Sequence, residues 1–274
     1  MKLLYTPNSP YARKVRIVAL EKHIELSLQE VVLSDPDCPV SNHNPLGKVP
    51  VLVLDDGDDL YDSRVIVEYI DNRSPGAHLI PQDNTSKITT RRWEALADGI
   101  CDAAIAAMLE SRRPEAQQSQ VNIDRQLDKV MRGLEVLNLE ITKKKWCVNE
   151  TFSLADIAVG CMLGYVDYRH KQLNWQDKCP NLAKHYGILI KRPSFKQTMP
   201  IPWAKVIERL DSYVEVDKLL KFWRLAQLVA IVAAVAAIVF AMGLATYFDD
   251  TRPIIPDLLS HRIYAEVIQG RVTT

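Results

Sequence analysis

Short apolar runs and helical stripes alternate through residues 1–80. The run Lys2 to Tyr5 reads as a strand, and residues 10–22 carry Val15, Val18 and Ala19 on one helical face. A second strand is predicted near residues 26–33. After the loop SDPDCPVSNHNPLGK come the strand VPVLVL, the turn DDGDD, a short strand at LY and the helix SRVIVEYIDN. This is a βαβ unit followed by a hairpin and a helix. From Thr85 to Pro200 the periodicity is helical only. It runs through RRWEALADGICDAAIAAMLE and IDRQLDKVMRGLEVLNLEI, a helix from Leu154, and shorter helices after Pro180 and Pro193. The predicted organisation is an α/β domain over residues 1–80 and an all-helical domain over 85–201. Ser153 to Asp156, SLAD, has the spacing of a capping box, so its expected role is folding.

A different pattern begins beyond that. Residues 202–224 read as a linker helix. The next 24 residues, Leu225 to Phe248, contain no Asp, Glu, Lys, Arg or His. At about 1.5 Å per residue a helix of that length crosses a hydrocarbon core about 30 Å thick, so a single transmembrane helix is expected. A buried core helix would keep a polar stripe, whereas here Gln227 alone is strongly polar. Lys218, Lys221 and Arg224 precede the run and Asp249 and Asp250 follow it. The positive-inside rule then leaves the N-terminal domains in the cytoplasm and residues 249–274 as an extracytoplasmic tail, with the chain in the inner (cytoplasmic) membrane. Nothing at the N-terminus reads as a signal peptide.

Composition narrows the chemistry. Thirty-four basic residues balance thirty-four acidic ones, so no global field favours nucleic acid. The five cysteines Cys38, Cys101, Cys147, Cys161 and Cys179 form no CxxC pair, which predicts reduced thiols and no metal site. No glycine-rich phosphate loop is visible. What remains is the turn NSPYARKVR. Ser9 before Pro10 is an N-cap followed by the preferred first helical residue. The same helix end presents amide donors and positive potential, so it is also an anion site able to hold a thiolate. Asp62 and Ser63 open a second helix, where free amides and a hydroxyl suit a carboxylate and Asp62 suits an ammonium group; plain helix capping is the alternative.

SPYARKV after the first strand, NPLGKVPVL before the third, LYDSRVIVEYI after the hairpin and TFSLADIAVG in the helical part occur in an order and spacing that resemble a bacterial glutathione S-transferase over residues 1 to about 200. The resemblance implies a thioredoxin-like N-terminal domain and an all-α C-terminal domain, with glutathione as co-substrate. It implies that Ser9 donates a hydrogen bond to the glutathione sulfur, with Tyr5 and Tyr11 as alternatives. It further implies a cis Val49–Pro50 bond whose flanking backbone holds the cysteinyl unit, and Asp62 and Ser63 at the γ-glutamyl end. Lys48 is placed near the glycine carboxylate, a solvated lysine being the other reading.

The expected function is a membrane-anchored transferase that activates the glutathione thiolate for conjugation or reduction of a hydrophobic electrophile. The electrophile is expected around Ala103 to Met108 and Tyr165. The alternative is a non-catalytic transferase-fold scaffold, or an accessory subunit of a larger membrane complex. The expected partners are glutathione, a hydrophobic small molecule, membrane lipid, a membrane protein complex reached through the C-terminal helix and tail, and a second copy of the chain.

Overall fold

The structure is a computed structural model and describes residues 1–200. The expected linker helix, membrane span and tail lie outside the described residues, and among the described residues no helix is long and apolar enough to cross a membrane.

Four strands form one sheet in the order β2-β1-β3-β4: β1 (Lys2–Tyr5), β2 (Ser27–Glu30), β3 (Val51–Val53) and β4 (Asp59–Leu60). β1 runs parallel to β2 and antiparallel to β3, with Leu4 opposite Val51, and β3 pairs antiparallel with β4, with Leu52 opposite Leu60. The β1-to-β2 connection is α1 (Pro10–Glu21), as the helical stripe predicted, and α3 (Ser63–Arg73) follows the hairpin. Val15 and Val18 of α1 and Ile66, Val67 and Ile70 of α3 are buried with Leu3 and Leu52 in one cluster. Burying an aliphatic side chain of this size stabilises by about 1.5–3 kcal/mol, so this layer fixes both helices to the sheet. The second strand is shorter than predicted and exposed along most of its length, as befits an edge. A short helix, α2 (Val40–His43), occupies part of the predicted loop.

The chain then leaves the sheet through a turn held by buried Asp71, which accepts from the amides of Leu79 at 2.8 Å and Ile80 at 3.1 Å. The helical part comprises α4 (Asn84–Glu110), α5 (Gln120–Glu140), α6 (Leu154–Arg169), α7 (Trp175–Lys178), α8 (Pro180–Leu189) and α9 (Pro193–Gln197). α4 starts one turn and more before the predicted stretch because Asp83 caps it, accepting from the Ser86 amide at 2.8 Å. α6 is buried on every face from Leu154 to Val166, in keeping with a sequence that is apolar all round. Gly160 and Gly164 allow its neighbours to approach closely. A Cβ at Gly160 would meet Phe195 Cε1 at 2.4 Å, and one at Gly164 would meet Arg13 Nη1 at 2.3 Å.

The SLAD motif does fold the helix start. Asp156 Oδ2 accepts from the Ser153 amide at 2.9 Å and from its hydroxyl at 3.0 Å, while Oδ1 accepts from the Cys147 amide at 2.8 Å. His185 Nε2 lies 3.3 Å from the same Oδ1. This fully buried carboxylate therefore ties α6, α8 and the preceding turn together.

Candidate functional site

Register gathers the predicted residues. Leu4 opposite Val51 puts the C-terminal end of β1 beside the N-terminal end of β3, one residue after Pro50. Leu52 opposite Leu60 brings the exit of β4, and so Asp62 and Ser63, to that same end. Ser9 follows from β1 after a turn closed by its amide donating to the Thr6 carbonyl at 3.1 Å. One end of the sheet thus carries the start of α1, the Val49–Pro50 bond and the start of α3.

Ser9 is the N-cap of α1: its Oγ accepts from the Ala12 amide at 3.2 Å. Accepting that bond leaves the hydroxyl hydrogen free to donate, so capping and binding an anion are compatible in one side chain. Pro10 lacks an N–H, and the Tyr11 amide precedes the first intrahelical bond, so the positive helix end faces outward. The two alternative hydroxyls differ from Ser9. Tyr11 donates its hydroxyl to Asp102 Oδ1 on α4. Burial first, then the neighbouring Cys101 and Asp102, push its phenol far above its ordinary range and keep it protonated. The Tyr5 ring lies under the Arg16 guanidinium, 4.9 Å away.

The Val49–Pro50 peptide bond is cis, as the resemblance implied. No hydrogen bond within the described residues engages the Val49 amide or carbonyl. The loop before it is held by Asn44, whose Nδ2 donates to the Lys48 carbonyl at 2.9 Å and whose Oδ1 accepts from Leu46 N at 3.0 Å. The Lys48 side chain is exposed. Asp62 caps α3, accepting from Arg64 N at 2.9 Å, and its Oδ2 pairs with the Arg64 guanidinium at 2.9 Å. Partial burial alone would raise its carboxyl, but the Arg64 hydrogen bonds outweigh that and hold it below the usual range. Ser63 is buried behind it. Arg64 is a partner for which the sequence reading had no role.

The opposite wall belongs to α4. Glu94, Asp98 and Asp102 recur every fourth residue and face α1. Lys14, only 1% exposed, meets Glu94 at 2.8 Å and Asp98 at 2.8 Å. Its two carboxylates outweigh desolvation and raise its pKa, so it stays charged, while burial raises that of Asp98. Asp102 is exposed, with the neutral Tyr11 hydroxyl as partner. Nearby, Asn8 Nδ2 donates to the Tyr168 hydroxyl at 3.3 Å, and Arg169 lies 4.5 Å over the Tyr168 ring. His170, at the end of α6, donates from Nε2 to the Ala104 carbonyl at 2.9 Å, and burial lowers its pKa.

One expectation is corrected in part by this arrangement. Ala103, Ala104 and Tyr165 pack in the helical core with Trp93, Leu134 and Met162, and Ala107 is buried, while Ile105, Ala106 and Met108 are half-buried. The small alanines let α4 lie close against α5 and α6, which turns the carboxylate stripe rather than the alanine stripe toward α1. The contacts of Asp102 with Tyr11 and of Asn8 with Tyr168 were not foreseen from the sequence. The every-fourth-residue acidic spacing on α4 was the available signal, but spacing alone does not say which face meets α1.

Comparison with known proteins bears on the same regions. The Glutathione S-transferase, N-terminal domain family matches residues 3–78, and the Glutathione S-transferase, C-terminal domain family matches residues 120–187. The chain is 38% identical over 203 residues to the uncharacterized GST-like protein YibF of Escherichia coli K12, spanning 73% of this chain and 98% of the relative. Among solved structures, a glutathione S-transferase from Methylobacillus flagellatus KT with glutathione bound is 62% identical. It superposes with a TM-score of 0.72 and covers 73% of this chain and 99% of that one. A glutathione transferase family member from Pseudomonas fluorescens Pf-5 with bound glutathione is 39% identical, with a TM-score of 0.69 over 73% of this chain and 98% of that one.

Proposed function

Because this chain belongs to the glutathione S-transferase family, we propose that it binds glutathione across the sheet end and activates its thiol for transfer to an electrophilic organic molecule. The observation that carries this reading is the convergence of the α1 start, the cis Val49–Pro50 bond and the α3 start at one end of the sheet. In this reading the thiolate lies at the α1 N-terminus. The Ser9 hydroxyl donates to it, and the helix-end amides add positive potential, which lowers a thiol pKa from its ordinary value of about 8.5. Val49 pairs its free amide and carbonyl with the cysteinyl backbone. The γ-glutamyl carboxylate sits on the Ser63 hydroxyl and the α3 amides, Asp62 meets the ammonium group, and Lys48 reaches the glycine carboxylate. The activated sulfur then attacks an electrophilic carbon and displaces a leaving group, or reduces a peroxide or mixed disulfide.

The uncharged run Leu225 to Phe248 supports anchoring in the inner membrane as a single pass, with the transferase domain in the cytoplasm. That same run favours a second reading, a transferase-fold scaffold or accessory subunit of a membrane complex, and the chain could also pair with a second copy. Titrating the full-length protein in non-ionic detergent with glutathione, followed by turnover of a generic aromatic electrophile, separates the two. Binding with turnover supports the transferase, and absent binding supports the scaffold. For the anchor, the protein is expected to fractionate with membranes and resist alkaline carbonate; recovery in the soluble fraction without detergent contradicts it.

A further inference from the structure

Among the described residues, Asp102 stands at the site with no cation paired to it. Asp98 and Glu94, one and two turns back on α4, are paired with Lys14, and Glu94 also pairs with Arg91 at 2.7 Å. Asp102 continues that stripe to the start of α1, where it is exposed and accepts one bond from an uncharged group, the Tyr11 hydroxyl. Tyr11 is two residues beyond Ser9, so the Asp102 carboxylate lies about one tyrosine length from the α1 N-terminus. Asn8, on the other side of Ser9, is tied to Tyr168 of α6. The two tyrosines and Asp102 thus bring α4 and α6 to the helix start, beside the position the glutathione reading gives to the sulfur. Arg169, over the Tyr168 ring, and Arg112 both act on Tyr165.

We infer that Asp102 is a specificity-determining residue for the second substrate, selecting electrophiles whose far end carries a cation or a hydrogen-bond donor and disfavouring those ending in a carboxylate or sulfonate. The inference rests on the glutathione reading, since it needs the sulfur at Ser9 to place the electrophile beside Asp102. The chemistry follows from the site. A carboxylate whose hydrogen-bond partner is a neutral hydroxyl is not offset by that partner, and at a few ångströms near a protein surface a unit charge discriminates strongly between cationic and anionic ligands. The Tyr11 ring gives a cationic head aromatic company. Tyr11 itself positions the carboxylate, because its hydroxyl fixes one oxygen and stays protonated.

The test uses the full-length protein in non-ionic detergent and two S-benzyl conjugates of glutathione, one with a para-trimethylammonium group and one with a para-carboxylate. Their affinities and that of glutathione itself are measured by calorimetry in the wild type, Asp102→Asn and Tyr11→Phe. The wild type should prefer the cationic conjugate, and in Asp102→Asn that preference should fall by about tenfold or more while glutathione binds as before. Tyr11→Phe, which keeps the carboxylate but loses the hydroxyl that positions it, should weaken the preference without abolishing it. A preference unchanged in Asp102→Asn, or abolished in Tyr11→Phe, overturns the assignment. If glutathione and both conjugates fail to bind the wild type, the glutathione reading has failed and the assignment falls with it.

Discussion

The two sides of the site are built in different ways. The side assigned to glutathione is made of backbone ends: the start of α1 capped by Ser9, the bond before β3 and the start of α3 capped by Asp62. The side assigned to the electrophile is made of side chains that meet across three helices, Tyr11 with Asp102 and Asn8 with Tyr168. The first needs only the sheet register and two helix caps, all local in sequence. The second needs α1, α4 and α6 to pack in one rotation, which depends on Lys14 among its carboxylates, on the alanines of α4 and on Gly164. One side can therefore vary its residues while the other keeps its geometry.

Removing Lys14 should separate the two sides most sharply. Lys14→Met leaves Asp98 without its paired cation and Glu94 with Arg91 alone, and breaking a buried pair in this way costs about 3–5 kcal/mol. Denaturant unfolding should show that loss, while glutathione affinity, measured where the variant is folded, stays close to wild type. Parallel loss of both would show that the sides are not independent.

Asp62→Ala acts on the other side. It removes one charge-assisted contact to the ammonium group, so glutathione affinity should fall by about tenfold, with a smaller change in the rate of the bound complex because Asp62 is remote from sulfur. Equal affinity in variant and parent removes Asp62 from the site and leaves it as the helix cap it already is.

The smallest effect is expected from acid at His170, which pins the end of α6 to α4. Burial depresses its pKa, so the unfolded chain takes up a proton at higher pH than the folded one. Its contribution to stability is present above the ordinary histidine value of about 6.5 and is lost as pH falls through the folded value. Lowering the pH from about 7.5 to about 5.5 should cost up to about 1 kcal/mol through this group. In His170→Gln, which keeps a donor toward Ala104, that share of the pH dependence should vanish from the thermal unfolding curves.

The same contrast explains what the sequence revealed. Ser9–Pro10, Val49–Pro50 and Asp62–Ser63 were legible because each pairs a residue type with a local backbone task, and their order matched a family pattern. The strands and long helices followed from periodicity, with errors where local signals were weak, as in the short α2 and the early start of α4. The burial of Ala103, Ala104, Ala107 and Tyr165 was not foreseen, because the alanine run of α4 looked like pocket lining. Helical spacing gives the stripes but not the rotation, and the rotation is set by contacts eighty or more residues apart, such as Lys14 with Glu94 and Tyr11 with Asp102.

The thiol pKa of bound glutathione bears most directly on the proposed site. It is read from the ultraviolet absorbance of the thiolate as pH is raised, in the full-length protein and in Ser9→Ala. Bound to the wild type, the thiol should titrate below its ordinary value of about 8.5, and in Ser9→Ala it should move back up by about one unit or more. Loss of the cap alone costs only about 1 kcal/mol of stability, so the variant should remain folded for the comparison. An unshifted thiol in the wild type, or the same titration in both proteins, would contradict the assignment of the sulfur to Ser9.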